Sequence, residues 1–169
     1  LKDSVTPSHI TLEYPKKIII SKKPGNINVI FDASKVNDWG PRIDIIKFKV
    51  DSTYSELKIS SDIKEDFSKL TEEQKTNAPH IKLSKTTLNF GAVTVGKKVT
   101  SKVIYTNTGK SDLIIRKVSS TCGCTVVKSK KNVIAPGKTG KIIITVDTSD
   151  KDYNQSNMIN IITNDPKSP

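Results

Sequence analysis

From Val99 to Tyr105 every second residue points the same way, so that Val99, Ser101, Val103 and Tyr105 share one face of the strand they form. The run ends in Asn107-Thr108-Gly109-Lys110, and a second apolar run from Leu113 to Val118 follows at once. Two β-type runs across a Gly-containing turn read as antiparallel partners, with Gly109 expected to take the positive φ of that turn. The pattern continues: Cys122 to Val127, Lys141 to Asp147 with Ile142, Ile144 and Val146 on one side, and Met158 to Thr163. Pro136-Gly137 and a polar loop from Thr148 to Asn157 separate them. Upstream, Ile81 to Leu83 and Thr87 to Phe90 read as a first strand broken at Ser84-Lys85 and turned by Val95-Gly96. No run of about ten residues keeps a helical period, and the expected class is all-β.

Residues 1 to 61 have the same texture. Ile10 to Tyr14, Lys17 to Ile20, Ile27 to Phe31, Ile43 to Val50 and Tyr54 to Ile59 are short strands divided by Pro15, Pro24-Gly25 and a polar loop from Asp32 to Pro41. Trp39 in that loop is expected to cover a sheet end. Residues 62 to 79 turn charged and polar and read as a linker. Thr71 and Gln74 stand there at capping-box spacing, and Pro79 stops the short helical turn they predict. The chain of 169 residues thus divides into 1–61, a linker at 62–79, and 80–169.

The two blocks align with each other. At a constant offset of 115, Lys16, Ile19, Lys23, Gly25, Ile27, Asp32 and Ser34 match Lys131, Ile134, Lys138, Gly140, Ile142, Asp147 and Ser149, and the ungapped alignment runs back to Lys2 and Lys117. With one added residue, Ile43, Ile45 and Ile46 fall on Ile159, Ile161 and Ile162. The chain reads as two copies of one unit. The first copy is expected to lack N-terminal strands equivalent to Ile81 through Arg116, supplied upstream or by a neighbouring chain. The second is expected to lack a last strand equivalent to Tyr54 to Ile59.

The net charge of +11 is carried almost wholly by lysine, since Arg42 and Arg116 are the two arginines. The lysines are spread along strands and turns, which fits solvated faces and guarded edges, the alternative being attraction to an anionic partner such as envelope polymer, lipid headgroups or nucleic acid. A nucleic-acid interface would concentrate arginine and aromatic residues. No apolar stretch approaches the ~18 residues of a membrane span. With only His9 and His80 available, and no Gly-rich phosphate loop, His-Glu-x-x-His or Gly-x-Ser-x-Gly, an enzyme is not expected.

Phe90-Gly91-Ala92-Val93, Val95-Gly96, Tyr105 to Gly109, Leu113 to Ile115, Ser120-Thr121-Cys122-Gly123-Cys124-Thr125, Ile134 to Gly137 and Thr163 to Pro166 occur in an order that resembles the DUF1573 family of bacterial envelope proteins. More loosely they resemble the immunoglobulin-like modules related to Hydin and major sperm protein. The likeness covers nearly all of 81 to 169. It implies immunoglobulin-like antiparallel β-sandwich repeats and a secreted, periplasmic or outer-membrane-associated address. The first block is similar to a degenerate copy, with Pro7 and His9 at the cysteine positions.

The chain's two cysteines, Cys122 and Cys124, are two apart on an expected strand and so project to one face. A disulfide between them would close a very small ring, and it is not expected as a stabiliser. Three readings stay open: small buried residues, a thiolate pair for Cu(I) or Zn(II) that needs further ligands, and a redox or lipid-modified pair without the usual Cys-x-x-Cys spacing. The expected function is a non-enzymatic binding or scaffolding module of a bacterial envelope. Its partners would be proteins or envelope components met through strand edges and end loops, with no specific nucleic acid and with edge-strand association. The alternative is a metal-binding or thiol-redox protein built on Cys122 and Cys124.

Overall fold

A computed structural model describes residues 5–13, 26–50, 53–149 and 156–169. The strand expected at Lys17 to Ile20, the turns at Pro15 and Pro24-Gly25, and most of the loop from Thr148 to Asn157 lie outside these residues. The chain divides into two compact units, Leu1–Ile63 and Lys64–Pro169. All the strand pairings described are antiparallel.

Among the described residues the first unit has two pairs of strands. β1 (Ile10–Glu13) pairs with β2 (Asn28–Phe31), and β3 (Gly40–Val50) forms a long hairpin with β4 (Thr53–Ile63). Between them Asp32 caps a short 3-10 turn, Ala33–Lys35, by accepting from the Ser34 N–H at 3.1 Å. β3 starts at Gly40, so the polar loop is shorter than the sequence suggests. Trp39 is half-buried beside a buried Gly40. Ile10 and Ile46 are buried on the inner side, and Ile43 and Ile45 face out on the other side of β3.

The second unit begins with residues 64–79, which do not stand free as a separate connection. Arg116 grips the Glu65 carboxylate at 3.0 Å, and Ala78 is buried. In α1 (Glu72–Thr76), Thr71 Oγ1 accepts from the Gln74 N–H while Gln74 Oε1 accepts from the Thr71 N–H, a complete capping box. Seven strands follow among the described residues. β5 (Ile81–Leu83), β6 (Lys98–Asn107), β10 (Thr139–Asp147) and β8 (Thr125–Ser129) lie side by side in that order. The second sheet runs β11 (Ile159–Thr163), β7 (Leu113–Ser120), β9 (Val133–Ile134). The alternating residues Val103, Tyr105, Ile142 and Ile144 from one sheet meet Leu113, Ile115 and Ile134 from the other in one core. This period-two burial is why the sequence pattern folds as it does.

Three expectations are corrected. Thr87 to Phe90 is not strand: β5 stops at Leu83, and the Asn89 side chain instead accepts from the Gly91 N–H at 2.8 Å, a local turn that competes with pairing. Gly109 does not take a positive φ. It is required by close approach, because a Cβ there would run into the backbone of Ala78, Pro79 and His80. The cysteines lie in the turn before β8 rather than on the strand.

The β1:β2 and β8:β10 ladders share a register. Ile10 opposes Phe31 and Thr125 opposes Val146, each pair displaced by 115 residues, and the next three pairs agree likewise. The Asp32 N–H donates to His9 O at 2.8 Å, and the Asp147 N–H donates to Cys124 O at 2.9 Å. Beyond the loop the alignment does not hold. Ser120 opposes Ile159, so offsets of 115 before the loop and 116 after it would set Val5 opposite Ile43, but Val5 bridges Lys47.

Candidate functional site

Cys122 and Cys124 are joined in a disulfide. The bond was not expected as a stabiliser, because it closes a very small ring. In the turn that actually holds them, the Thr125 N–H bonds Cys122 O at 3.1 Å and the Cys124 N–H points at Cys122 Sγ at 3.2 Å, which brings the sulfurs together. Cys124 Sγ has Thr125 Oγ1 at 3.6 Å and Asn157 Nδ2 at 3.9 Å.

The disulfide lies on an open cleft of about 510 Å³ lined by Lys98, Gly123, Val126, Thr145, Asp147 and Ser149. Lys98 and Asp147 face each other across the β6:β10 ladder at 3.0 Å. The Ser149 hydroxyl and N–H, with Lys98 after them, lower the Asp147 carboxyl to about 2, so it is ionised at neutral pH. The cleft therefore presents a half-buried disulfide beside a neutralised charge pair.

As bonded, the two sulfurs are not thiolates and do not fit Cu(I) or Zn(II), both of which need thiolate donors and further ligands. Among the described residues, no group of three or more His, Cys, Asp or Glu residues stands together.

The two histidines, spaced far apart in sequence, are each committed to structure. His9 is buried, packs edge-on against Phe31, and sets Nε2 3.1 Å from Asp44 Oδ1. Arg42 grips the same carboxylate with two bonds of 2.6 and 2.8 Å and holds Asp44 below the usual carboxylate range, with His9 adding to the effect against burial. His80 Nδ1 lies 3.0 Å from Asp165 Oδ1, and Asp165 also accepts from the N–H groups of Ile81 and Lys167, each at 2.9 Å.

Sequence reading marked Asn107 only as a turn residue. It is fully buried and makes four bonds: Nδ2 donates to Ser111 O and Ile134 O, and Oδ1 accepts from the His80 and Gly109 N–H groups. Its signal was the Asn-Thr-Gly triplet ending an apolar run, which a polar residue enters only when its bonds are met.

In solved structures, the chain is similar to a crystal structure of a protein of unknown function from Porphyromonas gingivalis W83. The two share 19% identity at a TM-score of 0.71, and the alignment covers 98% of this chain and 77% of that one. A comparison with curated proteins finds no match. Residues 81–169, more than half of the chain, match the model of the family described as "Protein of unknown function (DUF1573)", and the chain belongs to that family.

Proposed function

We propose that this protein is a non-enzymatic binding or scaffolding module of a bacterial cell envelope, secreted or periplasmic, built from two immunoglobulin-like repeats. The matching registers at offset 115 support the repeat. One contrast carries the binding reading. Ile142 and Ile144 on β10 are 0% and 5% exposed, whereas their counterparts Ile27 and Val29 are 38% and 36% exposed, with Ile30 beside them at 46%. Among the described residues β2 pairs on one edge alone, with β1, while β10 has β6 on its other edge. Residues whose equivalents form a core are open to a partner that adds a strand or covers that face.

A photo-crosslinking residue placed at Val29 tests this in whole envelopes. A discrete adduct at Val29, absent when the same probe is placed at Lys102 on the paired strand β6, supports the reading. Equal or no labelling at the two positions contradicts it.

The second reading is thiol-redox chemistry at Cys122 and Cys124. It is favoured over metal binding by the disulfide and its place in an open cleft.

A further inference from the structure

Resting on the thiol-redox reading, we infer that Cys124 is the sulfur attacked by an incoming thiolate and Cys122 the sulfur that leaves, the substrate being a polypeptide dithiol that approaches along the outer edge of β8. A leaving thiolate is favoured where a donor already points at the sulfur. Cys122 Sγ has the Cys124 N–H at 3.2 Å, whereas the groups around Cys124 Sγ stand farther off at 3.6 and 3.9 Å.

The chain uses that same local geometry for anions elsewhere. The N–H two residues on donates to the side chain of Asp32 at 3.1 Å, Asp66 at 2.9 Å and Asp147 at 3.0 Å. Cys122 stands where those carboxylates stand. The turn is thus shaped to hold a negative charge on the first residue, and a thiolate at Cys122 meets it without rearrangement. Among the described residues β8 is an outer strand of its sheet and Cys124 immediately precedes it, so an extended polypeptide pairing with β8 brings its thiolate to that sulfur.

The step balances as follows. The substrate thiolate bonds to Cys124 Sγ, the Cys122–Cys124 bond breaks, and its electron pair goes to Cys122. The second substrate thiolate then attacks the substrate sulfur of the mixed disulfide and releases Cys124. The substrate loses two electrons and gains a disulfide, the cysteine pair gains two electrons, and the two substrate thiol protons pass to the cysteines or to solvent.

Reduced glutathione is a suitable probe, with excess N-ethylmaleimide added to capture the freed thiol before the ring recloses. Mass mapping of the intact chain should find glutathione on Cys124 and maleimide on Cys122 at about threefold or more over the reverse arrangement. Equal or reversed labelling overturns the assignment while leaving the thiol-redox reading in place. A disulfide that resists glutathione when folded yet reacts in urea removes that reading as well. Single-cysteine variants give a second readout: with C124S, the Cys122 thiol should alkylate faster near neutral pH than the Cys124 thiol of C122S, and the opposite order contradicts the assignment.

Discussion

His80 and Asp165, 85 residues apart, meet at 3.0 Å and join the start of β5 to the turn that follows β11. Asp165 is 2% exposed and accepts the Ile81 and Lys167 N–H groups as well. Asp165→Ala leaves those donors without their acceptor and should destabilise the second unit by about 3 kcal/mol, read as a lower urea midpoint. Asp165→Asn keeps the shape and should cost less. Equal midpoints for wild type and D165A would show the contact to be idle.

Asn107 carries the largest polar network in the core of the second unit. Asn107→Ala orphans two carbonyls and two N–H groups and should cost about 2–4 kcal/mol. Asn107→Asp retains the acceptor but loses both donations, so it should be at least as damaging. Thermal melts of the two variants check the order.

Gly140 lies directly opposite Tyr105, and a Cβ there would strike the phenol ring. The displaced ring would lose the bonds from Tyr105 Oη to Lys131 O at 2.8 Å and Ser129 Oγ at 3.1 Å. Gly140→Ala should therefore destabilise more than Tyr105→Phe, which removes the hydroxyl alone at about 1 kcal/mol. Gly109→Ala should be severe too, since it meets backbone that cannot turn aside. Chemical denaturation of the three variants measures the ranking.

Asp147 ionises at about 2 because Ser149 and Lys98 stabilise its carboxylate. A carboxyl lowered in the folded state binds fewer protons than when unfolded. Its contribution is present above the ordinary carboxylate value of about 4 and fades as pH falls toward about 2. Asp44, lowered first by Arg42, acts with the same sign in the first unit. Carbon NMR of the carboxyls should place the Asp147 midpoint near 2 in wild type and higher in Ser149→Ala. An unchanged midpoint contradicts the assigned cause.

What the sequence made legible was whatever depends on period two. Val103, Tyr105, Ile142 and Ile144 were placed on inward faces by alternation alone, and they form the core. The Thr71–Gln74 spacing likewise carried its own geometry. What failed depended on tertiary approach or on one residue of register. Gly109 looked like a φ requirement and is a close contact with Ala78 to His80. Cys122 and Cys124 were set on a strand, although β8 begins at Thr125 and the two lie bonded in the turn before it. Ile43 aligned with Ile159 by composition, since isoleucine-rich runs match in several registers, and the Val5–Lys47 bridge contradicts the pairing.

The central claim is that the open side of β2 is a binding surface, and amide hydrogen exchange over Ile27–Phe31 tests it most directly. In the purified chain these amides should exchange faster than those of Ile142–Val146, which lie between two strands. Addition of envelope extract should slow Ile27–Phe31 by about tenfold or more without changing Ile142–Val146. Exchange at Ile27–Phe31 that is already as slow as at Ile142–Val146, or that is unaffected by the extract, would contradict the account.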